Sequence, residues 1–372
     1  MREPLLANPL DLDDVPDCPA VFLLWANEGK PYLARTALLR RRLRRLLSQK
    51  DRVSRVLNLR GVVERIEYWR TGAQLESSLT YVELAQRHFP QDWRRMVRLR
   101  PPAFVRLTLD NPFPRTMVTT RLGSSLDREL FYGPFATRAA AENYNNEVLD
   151  LFQIRRCEEN LQPSPQHPGC IYGEMNRCLR PCQDAVSVEE YRNEASRLEQ
   201  FLRTGGASLR DPAEQARDRA SASMQFEEAE RLHQRIVRIA AVQASSGELP
   251  RALDHLAGVA VVPSARPDAI QLWFLIGGCW QPPQLLWLTE VAGAGQSMDR
   301  RLRDLVAALQ PHGKVNLEHL AILTRWYTST WRDGEWIEIE WPSKIPYRKL
   351  VNAIARVADP SRSTHSASVQ LD

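Results

Sequence analysis

The sequence predicts a mixed α/β (α+β) protein, because strand patterns and helix patterns recur along the same chain. Residues 20–25 form an apolar run of strand length, and a turn follows at residues 27–30. The next segment is an amphipathic helix, whose leucines have the spacing i, i+4, i+7 and i+8: Leu39, Leu43, Leu46 and Leu47. Alternating strand patterns return in residues 103–109 and 335–341.

The length of 372 residues predicts two or three domains. Hydrophobic residues make up 43% and charged residues 26%, and no apolar run reaches the roughly 18 residues of a membrane span. The acidic start of the chain, residues 1–17, has no basic segment followed by an apolar one, so we expect no secretory signal and a cytoplasmic location. Six cysteines are too few for a disulfide framework.

Further helices are predicted from apolar spacing and from their end signals. One covers residues 74–88 before Pro90, and another covers 138–152 after a turn at residues 132–134. A third begins at a capping-box pattern, Ser187 to Glu190, and stops at Gly205 and Gly206. Residues 212–242 then predict a helical hairpin, which either pairs with a partner helix or serves as an internal coiled-coil strut.

Positive charge is concentrated between residues 35 and 60, which carry a net charge of +9 with a single acid, Asp51. This density is typical of a surface that binds nucleic-acid phosphates, although a solvated helix face would look the same. The ten basic residues are Arg35, Arg40, Arg41, Arg42, Arg44, Arg45, Lys50, Arg52, Arg55 and Arg60.

Four cysteines within 26 residues predict a metal site with the spacing C-x12-C-x7-C-x3-C. They are Cys157, Cys170, Cys178 and Cys182. Four thiolates on a loop-rich segment can surround a zinc ion or hold a four-iron cluster. The paired C-x-x-C knuckles of common zinc modules are absent, which favours iron–sulfur; four independent buried cysteines are the alternative.

Together these features resemble the UvrC subunit of the bacterial excision-repair nuclease, over roughly residues 17–242. The strand at Ala20 and the segment after Tyr32 resemble a GIY-YIG nuclease core, and residues 131–135 are similar to a Y-F-G-P turn of the family. The cysteine region resembles one associated with a 4Fe–4S cluster. The run from Met224 to Leu232 resembles the UVR motif that docks onto UvrB, which implies partner contacts by Phe226, Glu227, Ala229, Leu232 and Ile236.

The resemblance implies a nuclease site built on Tyr32, Arg35 and Arg42, with one Mg²⁺ or Mn²⁺ ion if the site is active. Several family positions differ: Phe22 replaces a tyrosine, and Ala20 and Ala34 replace two glycines. The metal-binding glutamate falls at Tyr81, and a later asparagine falls at Trp93. Glu76 or Glu83 could replace the glutamate only from a different face of the helix. We therefore expect an inactive nuclease domain.

The predicted domains follow the same order along the chain. They are a degenerate GIY-YIG-like domain (16–100), connecting strands and a helix (101–150), the four-cysteine region (151–186), a helical region with the UVR motif (187–245), a truncated remnant of an RNase H-like domain (250–350) and a disordered tail (358–372). The remnant has no room for the carboxylates of a second nuclease.

Three functions are consistent with these patterns. The first is a DNA-repair protein that binds DNA through Arg35, Arg40, Arg41, Arg44 and Arg45, docks a UvrB-like partner and does not cut. The second is a stand-alone GIY-YIG endonuclease that makes a single incision at damaged DNA. The third is a protein-interaction module without DNA binding. No membrane partner is expected.

Overall fold

Helices and three antiparallel sheets form two bodies in the computed structural model of the protein, which confirms the predicted α/β class. The structure describes residues 3–47, 59–123, 128–288 and 296–359. Within these limits, the first body combines 1–100, 257–314 and 325–372, and the second combines 101–256 and 315–324. No helix in the described part of the chain has the length and apolar composition needed to cross a membrane.

The N-terminal part of the first body is a four-stranded antiparallel sheet in the order β1-β4-β2-β3. Helices α1 and α2 cover opposite faces of this sheet, because alternate residues of β2 point to opposite sides. Phe22 and Leu24 pack with the leucines of α1, whereas Val21 and Leu23 pack with Leu84 of α2. The elements are β1 (Leu5–Ala7), β2 (Ala20–Ala26), β3 (Tyr32–Thr36), α1 (Leu39–Leu47), β4 (Val63–Arg70), α2 (Gln74–His88) and α3 (Trp93–Val97).

Both helix predictions in this region are confirmed. The four predicted leucines of α1 are all buried, and α2 has the predicted bounds and ends before Pro90. Pro90 cannot continue the helix, so the backbone N–H of Phe89 closes the last turn on the carbonyl oxygen of Ala85. Of the basic segment, residues 48–58 lie outside the described residues, and Lys50, Arg52 and Arg55 lie with them.

The second body contains a sheet in the order β6-β5-β7-β8 and a layer of helices. Tyr144 of α4 stacks on Tyr132 of β7 with ring centroids 5.0 Å apart. The predicted capping box is present, with Ser187 and Glu190 bonded to each other's backbone N–H groups. The elements are β5 (Ala103–Thr108), β6 (Thr116–Thr119), β7 (Glu129–Phe135), α4 (Arg138–Leu149), α5 (Ile171–Glu174), α6 (Val188–Arg203), α7 (Ala207–Ala222), α8 (Phe226–Ser245) and β8 (Arg251–Ala252).

The turn predicted at residues 132–134 is wrong. These residues lie inside β7, where Tyr132 and Gly133 pair with Ala252 and Arg251 of β8. Gly133 is needed there because a Cβ atom would lie 2.7 Å from the Phe104 ring. The close approach of two neighbouring strands therefore explains a Gly-Pro pair that would ordinarily indicate a turn.

The C-terminal part of the first body is a sheet in the order β11-β10-β9-β13, with β12 also paired to β10. Leu302, Leu350 and Ile354 pack on it from two helices. The strand predicted at 269–276 is confirmed, and residues 360–372 of the predicted tail lie outside the described residues. The elements are β9 (Gly258–Pro263), β10 (Ala269–Ile276), β11 (Cys279–Trp280), β12 (Gln284–Trp287), α9 (Met298–Ala308), β13 (Glu335–Glu338) and α11 (Tyr347–Ala358). Helix α10 (Leu317–Tyr327) belongs to the second body up to residue 324 and to the first body from residue 325.

A buried carboxylate joins the two sheets of the first body. Glu76 is 4% exposed, and its Oε1 accepts a hydrogen bond of 2.8 Å from Nε2 of Gln271. Its Oε2 accepts a bond of 2.7 Å from the backbone N–H of Gly72, and Gln271 in turn accepts from Trp273 Nε1 at 2.9 Å. At Gly72 a Cβ atom would lie 2.1 Å from the carbonyl carbon of Ser264, so only glycine permits this approach.

We predict that Glu76→Ala lowers the free energy of unfolding by about 2 to 4 kcal/mol, because two buried donors lose their acceptor. Glu83→Ala is the matched control on the same helix. Its carboxylate is exposed and pairs with Arg87 at 3.6 Å, so its loss should cost less than about 1 kcal/mol. Urea unfolding of the full chain, followed by tryptophan fluorescence, measures both changes. Equal midpoints for the two variants would contradict the role assigned to Glu76.

Candidate functional site

A cavity of about 300 Å³ lies at the exposed edge of β3, where the sequence predicts a nuclease site. Two of the three predicted catalytic residues, Tyr32 and Arg35, line it. Its other polar lining residues are Ser78, Tyr81 and Arg325, and its apolar wall consists of Leu33, Ala34, Val82, Met96, Val97 and Leu99. None of the described residues that line the cavity is acidic.

Strand pairing and helix packing explain why these side chains meet. Arg35 pairs with Val21 across the sheet and lies on the side of α2, where its Nη1 donates to Ser78 Oγ at 3.4 Å. The guanidinium lies 5.7 Å from the centre of the Tyr81 ring, one turn further along α2. Arg42 lies on α1, on the opposite face of the sheet, and does not line the cavity.

The titratable side chains that line the cavity are two arginines and two tyrosines. Desolvation lowers the pKa of Arg35, and the nearby charge of Arg325 lowers it further. Burial raises the pKa of Tyr81, and Tyr32 adds to the shift while Arg35 opposes it. Tyr81 is therefore protonated at neutral pH and can donate a hydrogen bond into the cavity.

The positions where a metal-binding carboxylate is expected hold other groups. Tyr81 points into the cavity at the predicted glutamate position. Glu76 is bonded to Gly72 and Gln271, Glu83 pairs with Arg87, and neither lines the cavity. The arrangement can bind an anion through positive charge and hydroxyl groups, but its described lining offers no acidic ligand for a metal ion.

The basic face of α1 lies opposite its four buried leucines. Arg41, Arg44 and Arg45 are exposed, and Arg40 is half-buried. Arg44 pairs with Asp13 at 2.6 Å, which neutralises part of the charge, and the backbone N–H of Arg41 donates to Asp17 at 3.2 Å. The face therefore combines exposed arginines with one that is already paired.

The four predicted metal ligands lie in an irregular segment that also contains α5. Cys178 and Cys182 are buried, Cys157 is half-buried and Cys170 is exposed. Burial raises the pKa of Cys178 to about 11; the backbone N–H of Arg180, 3.4 Å from its Sγ, opposes the shift, and the other three thiols add to it. This mutual effect indicates that the four thiols lie near one another.

The kinds of donor present fit an iron–sulfur cluster, because such clusters are usually held by four thiolates and receive backbone N–H bonds on their sulfurs. In the described part of the chain, however, no group of three or more His, Cys, Asp or Glu side chains is arranged to hold a metal ion.

Arg155 fixes the start of the cysteine segment. No sequence pattern indicates this role. Its side chain is 2% exposed, with Nε donating to the carbonyl oxygen of Phe113 and Nη1 to that of Glu159, each at 3.0 Å. Nη1 also lies 3.8 Å from Cys157 Sγ. Tyr191 accepts a bond from the Arg155 backbone N–H and donates to Pro114, so α6 fixes the same segment.

The predicted partner-binding residues follow α8 from its exposed start to its buried middle. Phe226 is 69% exposed and Met224, in the turn before it, is 77% exposed. Glu227 is exposed, Ala229 and Leu232 are half-buried, and Ile236 is buried. The hairpin of α7 and α8 therefore leaves an apolar tip in solvent, while Ile236 belongs to its packed part.

Comparison with known proteins identifies relatives of this chain. Residues 103–201 match the family described as UvrC/Cho excinuclease, middle domain. UvrABC system protein C of Rickettsia prowazekii (strain Madrid E) is 27% identical over 237 residues, which is 63% of this chain and 37% of the relative. The corresponding protein of Rickettsia africae (strain ESF-5) is 26% identical over 63% of the chain and 36% of its own length.

The chain spans little more than a third of the length of these curated relatives. No solved structure matches it. The matched middle domain runs from β5 into α6 and contains all four cysteines of the predicted metal site. Over these residues the chain is similar to the UvrC/Cho excinuclease family.

Proposed function

We propose that this protein acts in DNA repair of the nucleotide-excision type by binding DNA and a UvrB-like partner, without cutting the DNA itself. The observation that carries the proposal is the cavity at β3, which gathers Tyr32, Arg35 and Tyr81 but has no acidic residue in its described lining. GIY-YIG hydrolysis needs a carboxylate to hold its metal ion. The names of the relatives, UvrABC system protein C, support the repair context.

DNA binding is assigned to Arg35 and to the basic face of α1. Exposed arginines on a short rigid helix can contact successive phosphates, and each contact releases condensed counterions. Arg41 and Arg45 are exposed and Arg40 is half-buried, whereas the guanidinium of Arg44 is paired with Asp13. An interaction module without DNA binding would not use these charges.

We predict no incision of a labelled, lesion-bearing duplex by anaerobically purified protein in Mg²⁺ or Mn²⁺, with or without UvrB. The duplex should be retained with a strong dependence on salt, and Arg45→Ala should reduce the slope of log affinity against log salt by about 0.9. Arg44→Ala, on the same helix, should reduce it less because Asp13 already pairs with this arginine.

The same assay tests the endonuclease alternative. Tyr32 and Arg35 in one cavity are the observation that favours it. Cleavage that disappears in Tyr32→Phe would contradict the non-cutting function and establish a single-incision nuclease. Retention that is insensitive to salt would contradict the role of α1 in DNA binding.

A cluster at Cys157, Cys170, Cys178 and Cys182 belongs to the same proposal. The electrostatic proximity of the thiols and the backbone N–H at Cys178 support a 4Fe–4S group, with zinc as the alternative. When bound, the group would supply a rigid crosslink of the loop segment. Arg155 and Tyr191 hold the protein side of that segment in place.

We predict that anaerobic reconstitution yields about four iron and four sulfide per chain. Cys178→Ser should abolish this content, whereas Cys279→Ser, which alters a half-buried cysteine outside the segment, should leave it unchanged. Metal and sulfide analysis measures both. A content of one zinc ion per chain and no sulfide would indicate a zinc site in place of the iron–sulfur cluster. Protein that binds neither iron nor zinc would contradict the metal site.

Docking of a UvrB-like partner is assigned to the tip of the α7–α8 hairpin. An exposed phenylalanine and methionine at a turn cost free energy in water and favour burial against another protein. Leu232 and Ala229 continue the same stripe along α8, with Glu227 exposed at its start, whereas Ile236 supports the stripe from within the hairpin.

We predict that Phe226→Ala weakens binding of purified UvrB at least about tenfold, because an aromatic anchor loses its buried area. Val237→Ala is the control, since Val237 is a half-exposed apolar residue further along the same helix. Calorimetry with the full chain measures both affinities. Equal binding by the two variants would remove the hairpin tip from the interface.

A further inference from the structure

Arg325 is a part of the β3 cavity that no motif of the sequence indicates. It lies near the end of α10, outside the family-matched residues 103–201 of the sequence, and its side chain is exposed. It lines the same cavity as Arg35 and is close enough to change the pKa of that residue. We call this space the Arg35–Arg325 cavity.

The charges of the Arg35–Arg325 cavity are not balanced by its walls. Some other arginines of the first body pair with carboxylates, as in Arg44–Asp13 and Arg356–Glu335. Here two guanidiniums line one cavity, desolvation affects Arg35, and none of the described lining residues is acidic. Two like charges in such a space repel each other, and an anion that enters removes the repulsion.

The remaining polar groups of the cavity are suited to a tetrahedral oxyanion. A guanidinium presents several N–H donors in a planar fork that matches phosphate oxygens. The hydroxyl groups of Tyr32, Ser78 and Tyr81 add donors, and Tyr81 keeps its proton at neutral pH. A volume of about 300 Å³ accommodates a phosphate group with a small organic substituent.

We propose that Arg325 and Arg35 together bind a phosphate group in this cavity without a metal ion. Arg325 and Arg35 hold the phosphate oxygens from two separate elements, and the tyrosine hydroxyls donate to the same group. The proposal rests on the proposed function only for the source of the phosphate, which is either a nucleic-acid end or a free phosphate or nucleotide. The C-terminal part of the first body thereby contributes directly to ligand binding.

The test measures binding to the full chain in EDTA with four probes. Inorganic phosphate and a 5′-mononucleotide represent free phosphates, and one single-stranded oligonucleotide is used with and without a 5′-phosphate. Arg325→Ala should weaken binding of the phosphate-bearing probes about tenfold, as the loss of a charge-assisted hydrogen bond implies. Arg325→Lys should recover part of the affinity. Arg348→Ala, an exposed arginine on α11, is the charge-matched control and should bind like the unaltered protein.

Preference for the 5′-phosphorylated oligonucleotide over the mononucleotide assigns the ligand to a nucleic-acid end, and the reverse assigns it to a free nucleotide. Equal affinities of the Arg325→Ala and Arg348→Ala proteins would overturn the proposal, as would binding that requires Mg²⁺. If the Arg325→Ala protein unfolds at a lower urea concentration than the unaltered protein, Arg325→Gln replaces it in the test, because glutamine keeps a long polar side chain without the charge.

The outcomes separate this proposal from the proposed function. If the Arg325→Ala protein still retains duplex DNA with the same salt dependence and binds phosphate as tightly as the unaltered protein, only the role of Arg325 is overturned. Arg325-dependent binding of inorganic phosphate in a protein that does not retain duplex DNA supports the cavity and contradicts the DNA-repair function.

Discussion

The first body depends on the hydrogen bonds of Glu76, because this carboxylate joins two sheets that are far apart in sequence. Gln271 and Gly72 supply the donors, and the contact of Gly72 with Ser264 brings the two backbones together. A buried carboxylate is tolerated only when its oxygens are bonded in this way. The same bonds hold α2 and therefore the position of Tyr81 in the cavity.

This constraint also explains why Glu76 is unsuitable as a replacement metal ligand. Its oxygens accept the hydrogen bonds that join the two sheets. The other acidic residue near the expected glutamate position is Glu83, which faces solvent and pairs with Arg87. The cavity is instead lined by Arg35 and Arg325, so its charge is opposite to that of a cation site. Such a positively charged lining favours an anion over a metal ion.

Local patterns predicted the elements well, but the composition of the site depends on contacts that no local pattern reports. The leucines of α1, the bounds of α2 and the capping box at Ser187 follow from spacing and end signals, and all three are present. Arg325 and the role of Glu76 come from the C-terminal part of the first body folding against its N-terminal part. The turn expected at Gly133 failed because β8, more than a hundred residues later, pairs there.

The discontinuity of the first body has a consequence for synthesis on the ribosome. The main stretch of the second body, residues 101–256, is continuous and can acquire most of its structure as soon as it has emerged. The contact between the two sheets of the first body forms later, since the amide of Gln271 that bonds to Glu76 is made 195 residues after it. During that interval water can hydrate the carboxylate of Glu76, and its burial becomes favourable only when the amide of Gln271 is there to replace that water.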